Sequence, residues 1–141
     1  MMRARHILVV EDSDEDFATV LDAARRAGVP HELRRATSGD ECLRLLHASA
    51  PAHDALPGLV LLDLNTPRGD GRDALREIKL DDKLRVIPIV VLNTSANPRD
   101  LRCCYASGAN AYHVKPVQYP DHLRILEQIF GYWLNSAVLP T

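Results

Sequence analysis

Residues 7–12 read Ile-Leu-Val-Val-Glu-Asp, four apolar residues followed directly by two acids. Apolar runs of the same kind recur at residues 59–62 and 87–92, the latter with Pro88 near its start. Side chains of a strand alternate between the two faces of a sheet, so a run that is apolar throughout is typical of a strand covered on both faces. The three runs therefore predict interior strands of a parallel sheet.

Two weaker strands and five helices complete the predicted architecture. Residues 31–36 and 111–114 mix polar with apolar side chains, which is typical of edge strands. Apolar residues at helical spacing predict helices from about Phe17 to Ala27 and over residues 39–48, 71–80, 98–107 and 119–136. Gly28 and Gly108 are expected to end the first and fourth helices. The alternation predicts an α/β protein, a flavodoxin-like doubly wound (βα)5 parallel sheet with strand order 2-1-3-4-5.

Composition restricts the class of protein. The chain has 141 residues, with 17 Lys+Arg against 19 Asp+Glu and a formal net charge of −2. We expect one domain over residues 1–141, with a C-terminal tail from about residue 135. The near-neutral charge argues against a dedicated nucleic-acid-binding protein, and no apolar run approaches the roughly 20 residues that a membrane helix needs. Three cysteines, of which Cys103 and Cys104 are adjacent, form no disulfide framework and predict a reducing, cytoplasmic compartment.

Chemically active side chains follow the predicted strands at their carboxyl ends. These positions hold acids, amides, a hydroxyl and one ammonium: Glu11, Asp12, Asp63, Asn65, Asn93, Thr94 and Lys115. Ligands of such sheets bind at this edge, where oxygen donors favour a hard ion, first of all Mg²⁺. Asp63 would then be a carboxylate nucleophile for a phosphoryl group whose charge the metal and Lys115 neutralise. Solvated loop acids and a surface lysine would explain any one of these residues alone, but their occurrence at successive strand ends favours a site.

At this point the sequence resembles the receiver domain of two-component response regulators. The resemblance covers the chain from about residue 7 to residue 130. The matching pieces are Val9-Val10-Glu11-Asp12-Ser13, Leu61-Leu62-Asp63-Leu64-Asn65, Pro67, Gly69, Gly71 and Val114-Lys115-Pro116. The resemblance implies that a histidine kinase's phosphohistidine phosphorylates Asp63 and that the only catalysis is self-dephosphorylation. It implies that Mg²⁺ is held by Glu11, Asp12, Asp63 and the backbone carbonyl of Asn65. It also implies that Lys115 pairs with the phosphoryl group and precedes a cis peptide bond to Pro116.

A narrower resemblance concerns the partner. Three segments are similar to the single-domain regulators paired with phytochrome histidine kinases: Asp63-Leu64-Asn65-Thr66-Pro67, Tyr132-Trp133-Leu134 and Val138-Leu139-Pro140. This resemblance implies a sensor kinase of the phytochrome type. It also implies a homodimer through the last helices and the last strand.

Asn93 departs from the receiver pattern. It lies 30 residues after Asp63 and 22 before Lys115, where receivers carry Thr or Ser. The neighbouring Thr94 should point to the other face of the strand, so it can substitute only if the strand slips or bulges. An Asn amide can itself donate to a phosphoryl oxygen. Tyr112 corresponds to the family's switch aromatic, with an ordinary edge-strand tyrosine as the alternative.

The last predicted helix carries two apolar stripes. A surface helix needs only one stripe to face its core, so the excess predicts a partner surface that includes Tyr132, Trp133 and Leu139. The alternative is a wide core-facing stripe with the tail folded back on its own domain.

Three further interpretations accompany this assignment. Asp14, Glu15 and Asp16 suit a helix N-terminus, and we interpret them mainly as capping and solvated residues. A haloacid dehalogenase-type phosphatase also uses an Asp after a strand, but it needs a second Asp where Asn65 stands. A pseudo-receiver, which binds partners without being phosphorylated, is favoured only by Asn93.

Overall fold

Among the described residues, five parallel strands form the sheet that the apolar and mixed runs together predict. The computed structural model describes residues 5–66 and 71–140. The strands are β1 (Ile7–Val10), β2 (Leu33–Ala36), β3 (Leu59–Asp63), β4 (Ile89–Asn93) and β5 (Ala111–Val114). All four neighbouring pairs are parallel, and the order β2-β1-β3-β4-β5 confirms the flavodoxin-like prediction.

Within residues 5–66 and 71–140, five α-helices connect or follow these strands. They are α1 (Asp14–Arg26), α2 (Gly39–Ser49), α3 (Gly71–Leu80), α4 (Pro98–Ala106) and α5 (Tyr119–Gly131). A short 3₁₀ helix, His53–Ala55, lies before β3. Among the described residues, no helix has the length and apolar character that a membrane span would require.

The burial of the strands separates interior from edge. Every residue of β1, β3 and β4 is buried, whereas β2 and β5 have mixed burial. Because side chains alternate, Val60 and Leu62 pack into a core on one face of β3 while Leu59 and Leu61 pack into a core on the other. Burying such a side chain contributes about 1.5–3 kcal/mol. The interior strands therefore carry apolar residues at every position before their carboxyl ends, where Asp63 and Asn93 stand.

Local chemistry fixes the ends of the helices. Ser13 caps α1 by accepting a hydrogen bond from the Asp16 backbone N–H, and Ser38 caps α2 in the same way from Glu41. Gly28 and Gly108 follow α1 and α4 with φ of 69° and 106°, as the predicted helix ends require. At Gly108 a Cβ would also lie 2.7 Å from Cγ of Lys79, so a side chain there would force a rearrangement.

Two element boundaries differ from the prediction for identifiable reasons. β4 begins at Ile89 instead of residue 87, because Pro88 has no N–H and the Ile87 N–H donates to the Leu84 carbonyl in the preceding turn. The predicted last helix is also not uniform. α5 ends at Gly131 and continues as a π-helical turn, Tyr132–Ser136, closed by a 2.7 Å hydrogen bond from the Ala137 N–H to the Tyr132 carbonyl.

The C-terminal tail packs back onto its own domain. Trp133, Leu134 and Leu139 are partly buried against the core between the sheet, α1 and α5, and Leu139 also lies beside Gly58. Tyr132 remains 57% exposed and Val138 remains 95% exposed. The tail thus buries part of its apolar surface within its own domain. This is the folded-back arrangement expected as the alternative to a partner surface.

Candidate functional site

Three strands deliver a buried ion cluster to the carboxyl edge of the sheet. Glu11 follows β1, Asp63 ends β3 and Lys115 follows β5. The Lys115 ammonium lies 2.9 Å from Oε1 of Glu11 and also contacts Oδ2 of Asp63. Asp63 is 2% exposed and Lys115 8% exposed, so water screens these charges little. Of the residues predicted from the sequence, Glu11, Asp63 and Lys115 therefore meet as the strand order requires.

The cluster shifts the pKa values of its members in opposite directions. Burial, and then the neighbouring Asp63 carboxylate, raise the pKa of Glu11 to about 8. Burial by itself would lower the pKa of Lys115, but its hydrogen bonds to Asp16, Asp63 and Glu11 raise it above the ordinary range. Lys115 is therefore a permanent cation at neutral pH. The ionised form of Glu11 is stabilised when additional positive charge comes close.

Asp16 is the third carboxylate of this cluster. Its Oδ2 lies 2.6 Å from Nζ of Lys115. Our interpretation of Asp16 as a capping and solvated residue was wrong, because its side chain turns from the first turn of α1 towards Lys115. Asp14 and Glu15 are exposed as expected, and Asp14 pairs with Arg35 at 2.7 Å.

The loop after β3 orients Asp63. The backbone N–H of Asn65 donates a 2.7 Å hydrogen bond to Oδ1 of Asp63, while Oδ2 faces Lys115. Both carboxylate oxygens of Asp63 are thus held in fixed directions. Of the motif residues after Asp63, Pro67 and Gly69 lie outside the described residues.

Asn93 and Thr94 point to different surroundings, as strand alternation predicts. Asn93 is buried at the end of β4, and its Nδ2 has no hydrogen-bond partner in residues 5–66 and 71–140. Thr94 is exposed, and its hydroxyl donates to Oδ1 of Asn65 at 3.3 Å. Thr94 therefore contacts the rim of the site, and Asn93 occupies the buried position.

Tyr112 lies inside the domain, on the side of the sheet that faces Cys104. Its hydroxyl donates a 2.7 Å hydrogen bond to the Ser95 carbonyl, in the loop that follows β4. Its backbone N–H donates to the hydroxyl of Tyr105 on α4 at 3.1 Å. Burial raises the pKa of its phenol. Tyr112 thus connects β5 to the loop beyond Asn93, and its role as a switch stays a prediction.

The donor set fits a divalent cation. Carboxylate oxygens of Glu11, Asp16 and Asp63 lie within 4.8 Å of one another. Asp12, predicted as a ligand, is exposed and stands outside this group. Oxygen-only donors with excess negative charge suit a hard ion such as Mg²⁺ or Mn²⁺.

The peptide bond between Lys115 and Pro116 is trans, because no cis bond occurs among the described residues. The prediction of a cis bond was therefore wrong. It rested on family resemblance alone, and an X–Pro bond intrinsically prefers trans by about 0.5–1 kcal/mol.

Comparison with known proteins identifies relatives along nearly the whole chain. The probable methanogenesis regulatory protein FilR2 of Methanothrix harundinacea is 38% identical over 129 residues, which are 92% of this chain and 83% of that protein. Response regulator Rcp1 of Synechocystis sp. is 36% identical over 135 residues, 95% of this chain and 92% of Rcp1.

Solved structures extend the similarity to three dimensions. The phosphorylated cyanobacterial phytochrome response regulator RcpA has a TM-score of 0.89 at 36% identity, covering 99% of this chain and 100% of that one. The Mn(2+)-bound form of Rcp1 has a TM-score of 0.88 at 35% identity, covering 97% and 99%. A family model for the response regulator receiver domain matches residues 7–127. Since that span contains every strand and the whole acidic edge of the sheet, the chain belongs to the response regulator receiver domain family.

Proposed function

We propose that this protein receives a phosphoryl group on Asp63 from the phosphohistidine of a sensor histidine kinase. One observation carries the proposal above the others: Asp63 is a buried carboxylate held between the Lys115 ammonium and the Asn65 N–H at the ligand-binding edge of the sheet. Membership of the receiver domain family favours this phosphoacceptor role over the phosphatase that the sequence left as an alternative.

The transfer would form one bond and break one. A carboxylate oxygen of Asp63 attacks phosphorus, and the P–N bond to the kinase histidine breaks with its electron pair returning to the imidazole. Lys115 would pair with a phosphoryl oxygen, and the Asn65 N–H would hold the other carboxylate oxygen of Asp63. Nδ2 of Asn93, which donates no hydrogen bond within residues 5–66 and 71–140, would be a further donor for a phosphoryl oxygen.

Magnesium is the proposed cofactor. Glu11, Asp12, Asp63 and the Asn65 carbonyl would hold it, with Asp12 turning inward from its exposed position. When bound, Mg²⁺ offsets the negative charge of the phosphoryl oxygens. The Mn(2+)-bound form of Rcp1 supports a divalent ion at this kind of site.

Self-dephosphorylation would complete the cycle. Water attacks phosphorus, the P–O bond to Asp63 breaks, and inorganic phosphate leaves as the carboxylate re-forms. The residues around the phosphoryl group, Asn93 above all, would set the lifetime of the phosphorylated state.

The proposed kinase is of the phytochrome type. The description of RcpA as a phosphorylated phytochrome response regulator supports both the modification and this class of partner. We further infer a homodimer that includes Tyr132 and Trp133, whose rings meet edge to face with centroids 5.1 Å apart. A cytoplasmic location accords with Cys103 and Cys104, whose thiols form no disulfide among the described residues.

Phosphorylation of purified protein tests the proposal. With Mg²⁺ and a phosphorylated histidine kinase or a small-molecule phosphodonor, the wild type should acquire one acid-labile phosphoryl group, and Asp63→Asn should acquire none. Circular dichroism should show that the variant remains folded. Undiminished labelling of Asp63→Asn would refute the assignment, and a wild type that no donor phosphorylates would favour a pseudo-receiver.

A further inference from the structure

Asp16 occupies a position in α1 that ordinarily serves the helix end. Ser13 is the N-cap, and Asp16 is the third helical residue after it. In a capping box, the side chain at this third position accepts a hydrogen bond from the backbone N–H of the N-cap residue. The first half of the motif is present, since the Asp16 N–H donates to Oγ of Ser13 at 3.2 Å.

The second half of the capping box is supplied by a different residue. Oε2 of Glu11 accepts the Ser13 N–H at 3.2 Å, so the helix end does not require the Asp16 side chain. The Asp16 carboxylate is thereby left to approach Lys115, with Oδ2 at 2.6 Å from Nζ. Backbone capping fixes the base of the Asp16 side chain while its carboxylate serves the site.

The donors of Lys115 match these partners in number. An ammonium group has three N–H donors, and Nζ contacts one oxygen each of Glu11, Asp16 and Asp63. Phosphorylation would convert Asp63 from a carboxylate into an acyl phosphate. Glu11 belongs to the proposed metal ligands. Asp16 neither accepts the phosphoryl group nor belongs to the proposed ligand set, although its carboxylate lies within 4.8 Å of those of Glu11 and Asp63.

We propose that Asp16 is a positioning residue for Lys115, which it holds beside Asp63 so that one ammonium N–H stays directed at the incoming phosphoryl group. This inference rests on the proposed phosphoacceptor function of Asp63. Without the Asp16 charge, Lys115 would redistribute its donors onto Glu11 and Asp63. That shift would draw electron density from the nucleophile and misdirect the cation, so phosphoryl transfer would slow.

The electrostatic balance of Lys115 agrees with this role. Burial opposes a charged Lys115, and the ion pair with Asp16 is one of the contacts that raise its pKa against burial. The Asp16 side chain is 33% exposed, compared with 2% for Asp63, so it pairs with Lys115 at a smaller desolvation cost.

The first test observes the ammonium group directly, without phosphorylation. Lys79, Lys83 and Lys115 are the lysines of this chain, so an ammonium-detected ¹⁵N NMR spectrum contains at most three lysine signals, and the buried Lys115 is readily assigned by mutation. Asp16→Asn should accelerate exchange of the Lys115 Nζ protons with water by about tenfold, as expected for loss of a charge-assisted hydrogen bond. Glu15→Gln removes the same charge from the same helical turn and should leave the signal unchanged. Equal protection in wild type and Asp16→Asn would overturn the proposal.

The second test asks whether Asp16 acts through Lys115. Asp16→Asn should slow phosphorylation by a small-molecule donor about five- to tenfold in the wild-type background, but less than about twofold in a Lys115→Gln background. An equal loss in both backgrounds, with weakened Mg²⁺ binding, would make Asp16 a metal ligand and overturn the proposal. Continued phosphorylation of Asp63→Asn would refute the proposed phosphoacceptor function. The NMR test of Asp16 uses unphosphorylated protein, so its result does not depend on that function.

Discussion

The side-chain oxygen of Asn93 accepts a hydrogen bond from the Ser95 backbone N–H at 3.4 Å. This contact fixes which end of the amide is which, because only the oxygen can accept. Nδ2 is then the end that is buried and meets no acceptor at hydrogen-bonding geometry in the described part of the chain. The Asn93 side chain nevertheless lies close enough to the Tyr112 hydroxyl to lower the pKa of that phenol against the effect of burial. An unsatisfied buried donor costs about 1–3 kcal/mol, so an acceptor that arrives with the phosphoryl group would recover that free energy.

Substitution of Asn93 tests this donor role. Asn93→Ala should slow phosphorylation about fivefold, the equivalent of one neutral hydrogen bond of about 1 kcal/mol. Asn93→Thr supplies the hydroxyl that receivers ordinarily carry, so it should retain phosphorylation and change the lifetime of the phosphorylated state. Labelling kinetics followed by chase without donor measure both rates. Identical rates and lifetimes in all three proteins would show that the amide does not contact the phosphoryl group.

The proposed metal site predicts that phosphorylation depends on Mg²⁺ and on the carboxylate of Asp12. Asp12→Ala should lose most Mg²⁺-dependent phosphorylation, and excess chelator should stop labelling of the wild type. Binding should be weak, because Mg²⁺ retains several waters and no protein cage surrounds the site. Asp14→Ala is the matched control, since Asp14 is an exposed acid whose partner is Arg35. Labelling that continues in chelator would remove the metal from the mechanism.

The sequence predicted the strands well and the acidic cluster incompletely, for physical reasons that individual residues illustrate. Strand order follows from which runs are apolar throughout, and Asp63, Glu11 and Lys115 meet because parallel strands end at one edge. The contact of Asp16 with Lys115 was not predicted, because Ser13-Asp14-Glu15-Asp16 is also typical of a capping box. Its true partner depends on whether Glu11 reaches the Ser13 N–H, a three-dimensional contact without a sequence signal. The π-helical turn after α5 likewise depends on packing of the tail.

His122 predicts a dependence of stability on pH. It is buried in α5 with Nε2 unpartnered among the described residues, and burial lowers its pKa from the ordinary 6.5. The unfolded chain therefore binds more protons as pH falls through about 6.5, so this residue lowers the free energy of unfolding at acidic pH. Urea denaturation of wild type and His122→Leu between about pH 7.5 and 5.5 isolates the effect.

In the difference between wild type and His122→Leu, the contributions of the other titrating groups to the pH dependence cancel. The raised pKa of Glu11 acts with the opposite sign, favouring the folded state at low pH and losing that contribution as pH rises towards about 8. This contribution is common to both proteins and cancels in the difference. The stability of wild type should therefore decline more steeply with falling pH than that of His122→Leu. Parallel pH profiles would show that His122 is not protonated differently in the two states.

The proposed homodimer predicts that charged substitutions in the tail weaken self-association. The structure of the tail shows which residues can be changed without disturbing the fold. Leu139 is partly buried in its own domain, so a charge there would confound folding with assembly. Tyr132 and Val138 are exposed and suit the test better. Tyr132→Glu combined with Val138→Lys should lower the average mass measured by light scattering at concentrations where wild type is dimeric, because apolar burial yields about 25 cal/mol per Å² before association costs. Leu80→Lys changes an apolar residue at the end of α3 whose exposure, 77%, lies between those of Tyr132 and Val138, and it should leave the mass unaltered. A wild type that stays monomeric at high micromolar concentration would refute the dimer, and a dimer indifferent to the double substitution would exclude this surface as its interface.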